Sequence, residues 1–147
     1  MRAEKIALNT LKSFIQFTKF RLSFLVVISA LSGYLFVGGS SWDVIYKLVI
    51  GGFLITAASN GVNQLLEMKQ DALMNRTKNR PLVTGELSKL SGIVISGLSL
   101  IIGSCMLWFI NLNSLLLGLS AFISYAFIYT PLKGKTSWSV FVGAIPG

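Results

Sequence analysis

Four apolar runs, each close to the length that crosses a bilayer, limit this chain to very few folds. They cover residues 22–38, 48–66, 87–110 and 114–129, and a fifth run starts at 138–147. A helix needs about 20 predominantly apolar residues to span the hydrocarbon core. Inside that core every backbone N–H and C=O must be satisfied within the protein, which favours helices. The expected fold class is therefore all-α, a polytopic transmembrane helical bundle of about four spans plus the start of a fifth, in one membrane domain over residues 1–147. The 12% of charged residues agree with this, since soluble domains carry about a quarter.

Lysine and arginine positions give the orientation. Arg2, Lys5, Lys12, Lys19 and Arg21 precede the first run, and Lys47 alone lies near the first loop. Lys69, Arg76, Lys78, Arg80 and Lys89 flank the second loop, the third has none, and Lys133 and Lys135 follow the fourth run. Short cytoplasmic loops are rich in basic residues. This alternation puts the amino terminus and residues 60–85 on the cytoplasmic side. It also places the net charge of +8 at loops between spans, which argues against a nucleic-acid partner. Ile6, Leu11, Phe14 and Ile15 fall on one helical face before the first run, as in an interfacial helix. A cleaved signal peptide fits less well, because the apolar run starts late and no A-x-A site is evident.

The chain has no histidine, the usual acid–base group near neutrality. Its single cysteine, Cys105, lies inside an apolar run and reads as an inert thiol. The chemistry concentrates at residues 60–82, NGVNQLLEMKQDALMNRTKNRPL. Asn60, Asn63 and Gln64 fall at membrane depth, where amides facing lipid are costly, so they should face the bundle interior or a wet cavity. Asn63, Glu67 and Asp71 sit at i, i+4 and i+8. On a helix they share one face, with a rise of about 6 Å per step. Mg²⁺ takes oxygen ligands, commonly one or two carboxylates plus phosphate and water. Arg76, Lys78 and Arg80 follow and would neutralise a diphosphate, arginine through its bidentate fork. The same spacing also fits a solvated loop whose acids and bases pair with each other.

The run from Asn63 to Leu82, N-x-x-x-E-x-x-x-D-A-x-M-x-R-T-x-x-R-P-L, resembles the first acidic motif of the UbiA-type intramembrane prenyltransferases. Within that superfamily it is most similar to the protoheme IX farnesyltransferase (haem O synthase) branch. Quinone-type members usually show N-D-x-x-D where this chain has Asn63-Gln64-x-x-Glu67. Thr18, Lys19 and Arg21 resemble a T-K-P-R motif in which Phe20 replaces proline, and Tyr129-x-x-x-Lys133 resembles the superfamily's Y-x-x-x-K. The resemblance implies a nine-helix enzyme, of which this chain is the amino-terminal half, with catalytic loop 60–85. It implies Mg²⁺ held by Asn63, Glu67 and Asp71. The diphosphate would be held by Arg76, Lys78, Arg80 and Lys133, with Tyr129 and Lys133 as catalytic residues and Tyr129 near the prenyl C1. For Lys78 a solvated charge, and for Tyr129 an interfacial tyrosine, are equally compatible roles. Phe53, Tyr125, Phe127 and Tyr129 supply aromatic faces for a carbocation, although ordinary packing explains most of them.

The implied reaction is Mg²⁺-dependent transfer of farnesyl from farnesyl diphosphate to a vinyl group of haem B, giving haem O. The implied location is a bacterial inner membrane. The implied partners are farnesyl diphosphate, haem B, the lipid bilayer, and haem A synthase or terminal oxidase assembly factors. The family's second motif, D-x-x-x-D, has no counterpart here, because the remaining acids are Glu4, Asp43 and Glu86. These 147 residues alone are therefore expected to be inactive. Two other readings are an aromatic prenyltransferase of quinone biosynthesis and, in another class, a transporter fragment lined by Asn60 and Asn63.

Overall fold

A computed structural model describes residues 11–132, and the fifth apolar run at 138–147 lies outside the described residues. Among the described residues all regular structure is helical. The helices are α1 (Leu11–Phe17), α2 (Phe20–Phe36), α3 (Trp42–Leu73), α4 (Pro81–Thr84), α5 (Lys89–Trp108) and α6 (Leu112–Leu132). Three of them, α3, α5 and α6, are long and apolar enough to cross a membrane, and α1 with α2 passes as a fourth span bent by 53°.

The surface is inverted relative to a soluble protein. Leu25, Leu98, Ile101 and Leu117 are exposed, whereas Asn60, Asn63, Gln64, Glu67 and Asp71 are buried. Lipid accepts the apolar faces, and polar groups are driven to the bundle interior, where partners exist. α3 is the hub and packs against α2, α5 and α6. The apolar core is Ile55, Ala58, Leu107, Phe122 and Ala126. With lipid as solvent, helix association depends on close packing of small residues. On α5 these are Gly92, Ser96, Ser99 and Gly103, all buried. A Cβ on Gly103 would come 3.0 Å from the Gly51 carbonyl oxygen, so these two backbones nearly touch. Ser29 and Gly33 read as a second such pair, but both are exposed, with open space around Gly33. α2 instead buries Ser23 and Val27.

At about 1.5 Å per residue the 32 residues of α3 extend about 48 Å. The hydrocarbon core is only about 30 Å thick, so an end of this helix must emerge, and its carboxyl-terminal end carries Glu67 and Asp71. α6 starts earlier than its apolar run, because the Asn111 side chain caps it by accepting from Ser114 N at 2.7 Å. The uncharged turn expected at 111–113 therefore lies at 109–111, between Trp108 and Leu112. α6 also continues past Tyr129, through a π-helical stretch, Ser124–Tyr129. Pro131 explains the wider turn, since it has no N–H and its ring crowds the preceding carbonyls.

Gly61 marks a close approach of α3 to both α1 and α5. A Cβ there would stand 2.7 Å from Phe17 Cζ and closer still to Ser96 Oγ. Gly61→Ala is expected to cost about 1–3 kcal/mol, read as a lower unfolding midpoint in detergent. An unchanged midpoint would show that Phe17 and Ser96 move aside freely.

Candidate active site

The α3 face bearing Asn63, Glu67 and Asp71 is built from both sides of the helix end. Past Leu73 the chain makes a compact turn. The Thr77 hydroxyl donates to the Asp71 carbonyl at 3.0 Å, and Thr77 N and Lys78 N both reach the Met74 carbonyl. Arg80 then precedes Pro81 at the first position of α4, where a missing N–H costs nothing. This turn folds Arg80 back over nine residues of sequence. Its Nη1 pairs with Asp71 Oδ2 and lies 3.8 Å from Glu67 Oε2. One guanidinium thus pairs closely with Asp71 and stands near Glu67, at a site where Glu67 is 7% and Asp71 3% exposed. Buried charges persist only when paired in this way.

Asn63 is fixed by α6. Its Nδ2 donates to Thr130 Oγ1 at 2.9 Å, and Thr130 Oγ1 in turn donates to the Tyr125 carbonyl at 2.8 Å. The π-helical stretch provides this contact, because Thr130 N also bonds to the Tyr125 carbonyl. The amide donates through nitrogen, which leaves Oδ1 for a cation. The Tyr125 and Tyr129 rings stack at 5.5 Å with a 19° interplanar angle.

The sequence-derived site residues therefore separate into three groups. Asn63, Glu67, Asp71 and Arg80 are brought together, with Tyr129 half-buried beside Tyr125. Arg76 and Lys78 are exposed, and Lys78 donates to the Asn75 side chain at 3.2 Å. Lys133 lies outside the described residues. Two participants lack any mark in the spacing of charges. Thr130 orients Asn63, and only its place before Pro131 hints at it. Lys19 comes from the α1–α2 break and donates to the Tyr125 hydroxyl at 3.4 Å.

Asn60 and Gln64 do different work from Asn63. Gln64 Nε2 donates to the Phe17 carbonyl at 2.7 Å. Asn60 Nδ2 reaches the Thr18 carbonyl at 3.4 Å and Ser23 Oγ at 3.3 Å. Rather than lining a cavity, these two amides satisfy the carbonyls left over where α1 ends, which nothing in lipid could do.

The donor set suits a hard cation. Glu67 and Asp71 offer carboxylate oxygens and Asn63 an amide oxygen, as Mg²⁺ with a bound phosphate requires. Among the described residues no three His, Cys, Asp or Glu side chains cluster as a metal cage.

Residues 26–147 match a family described as the UbiA prenyltransferase family. The chain is similar to the protoheme IX farnesyltransferase of Flavobacterium johnsoniae, 41% identical over all of this chain and 51% of the relative. The enzyme of the same name from Christiangramia forsetii is 42% identical over 99% of the chain and 49% of the relative. That of Rhodopirellula baltica is 33% identical over 90% and 47%. The chain thus spans about half the length of the curated relatives it matches. No solved structure matches it.

Proposed function

The chain belongs to the UbiA prenyltransferase family, and on that premise we propose that it forms one side of an intramembrane site transferring a farnesyl group from farnesyl diphosphate to a vinyl group of haem B. The observation that carries this reading is the buried pair Glu67 and Asp71 on one helical face, bridged by Arg80 and flanked by an oriented Asn63. The names of the relatives supply the acceptor. The nine-helix whole, the inner-membrane location and the cytoplasmic side of the site belong to the same proposal, as does any partnership with haem A synthase or terminal oxidase assembly factors.

In this reading Asn63, Glu67 and Asp71 hold Mg²⁺, which when bound supplies Lewis-acid stabilisation of the pyrophosphate leaving group. With a cation bound to the carboxylates, Arg80 would be free to bind the diphosphate. Arg76, Lys78 and Lys133 add positive charge around it. The C1–O bond of the substrate breaks and its electron pair leaves with pyrophosphate. The vinyl π electrons then form the new bond to C1. Water adds to the resulting cation and loses a proton, giving the hydroxyethylfarnesyl group of haem O. The stacked Tyr125 and Tyr129 present aromatic faces to the developing allylic cation, each worth about 1 kcal/mol or more when desolvated. Burial of the acid face excludes water, which would otherwise capture that cation.

Mass spectrometry of products decides the acceptor. The protein as its gene encodes it, given haem B, farnesyl diphosphate and Mg²⁺, is expected to yield haem O and to need the divalent ion. A prenylated hydroxybenzoate or naphthoate, with haem B untouched, would overturn the assignment.

A further inference from the structure

We propose that Lys19 is an additional basic residue of this site, binding the diphosphate from the side opposite Arg80, and that the break between α1 and α2 exists to deliver it. The proposal rests on the diphosphate reading of the acid face.

Lys19 adopts φ 47 and ψ 53, and among the described residues it is the one non-glycine with positive φ. A lysine in the left-handed region costs about 1–2 kcal/mol. Glycine or asparagine would relieve that strain. Such strain persists where surrounding structure enforces it, and it gathers at functional sites.

The enforcement is visible. Gln64 on α3 holds the Phe17 carbonyl, Asn60 holds the Thr18 carbonyl, and Ser23 Oγ donates to the Thr18 carbonyl at 2.9 Å. Phe17, Thr18, Ser23, Asn60 and Gln64 are each at most 1% exposed. Three buried side chains thus grip the two peptide units just before Lys19. The grip turns the chain by 53° and sends the Lys19 ammonium to the Tyr125 hydroxyl. Tyr125 stacks on Tyr129, and its carbonyl anchors the Thr130 that orients Asn63. Lys19 therefore comes from α1–α2 to the tyrosine pair whose helix orients Asn63, whereas Arg80 reaches the acid face from the α3–α4 turn. A helix continuous through Thr18 and Lys19 would instead carry the side chain around the helix axis with its neighbours. A diphosphate beside Mg²⁺ retains negative charge that a lysine ammonium at this place can bind.

Lys19→Gln, Lys19→Arg and Lys19→Asn, with Lys12→Gln on exposed α1 as a control, test this in the protein as its gene encodes it, held in phosphatidylcholine nanodiscs. The probe is Mg²⁺-pyrophosphate, read by calorimetry alongside the unfolding midpoint. Lys19→Gln should weaken binding about tenfold or more. Lys19→Arg should restore most of it, and Lys12→Gln should leave it unchanged. Lys19→Asn should lose binding while its midpoint rises, because asparagine tolerates the left-handed backbone. A purely structural lysine would move both readouts together. Wild-type affinity in Lys19→Gln, with binding lost in Asp71→Asn, would overturn the Lys19 assignment and leave the diphosphate site standing. No pyrophosphate binding by the wild type would overturn both.

Discussion

Asp71→Asn is expected to lower Mg²⁺-dependent prenyl transfer about 10²–10³-fold, the cost of losing one fixed group that stabilises charge in the transition state. The substitution keeps the size of the side chain and its place on α3. It removes the charge that pairs with Arg80 and that would hold the cation. Glu67 remains 3.8 Å from the guanidinium, so Arg80 is not left alone and the fold should survive. The readout is turnover of farnesyl diphosphate at saturating Mg²⁺, together with the unfolding midpoint of the same sample. A large loss of turnover with a modest change in midpoint is the expected pattern. Undiminished turnover would remove Asp71 from the metal-binding set and, with it, the reason for reading this face as the site.

Arg80→Ala should produce the largest change in stability. It removes the guanidinium beside two carboxylates whose side chains are only 8% and 4% exposed, and takes from Asp71 its ion-pair partner. Breaking a buried pair by removing one partner costs about 3–5 kcal/mol, because the other charge stays desolvated. Mg²⁺ is a natural replacement for the missing guanidinium. Adding it should therefore raise the midpoint of Arg80→Ala by more than it raises that of the wild type, in which cation and arginine compete for the same oxygens. Ligand that binds only the folded state stabilises in proportion to its affinity, so the difference in midpoint shift measures that competition. Equal shifts in the two proteins would show that Arg80 does not stand where the cation would bind.

The two predictions separate what the acids do from what the arginine does, and that separation depends on a turn whose shape is not evident from charge spacing. Arg76, Lys78 and Arg80 look alike in the sequence. In the fold, the Thr77 cap on α3 and Pro81 at the start of α4 send Arg80 inward and leave Arg76 and Lys78 at the surface. Short-range turn chemistry discriminates among three similar basic residues.

The helical class and the common face of Asn63, Glu67 and Asp71 are legible in the sequence alone. Both follow from local regularities: segment length against bilayer thickness, and a period of 3.6 residues. The family, too, is legible in the run from Asn63 to Leu82, and the match over residues 26–147 bears it out. Tertiary structure alone decided which helix each buried amide serves. Asn60, Asn63 and Gln64 are equivalent by polarity and depth, yet two of them grip the α1–α2 break and one meets Thr130. The π-helical stretch in α6 and the left-handed turn at Lys19 belong to the same class of outcome. Each costs backbone energy locally, and each is held by hydrogen bonds spanning up to 67 positions in sequence. Interactions at that range leave no periodic trace in the sequence, because their partners meet only once the helices have packed.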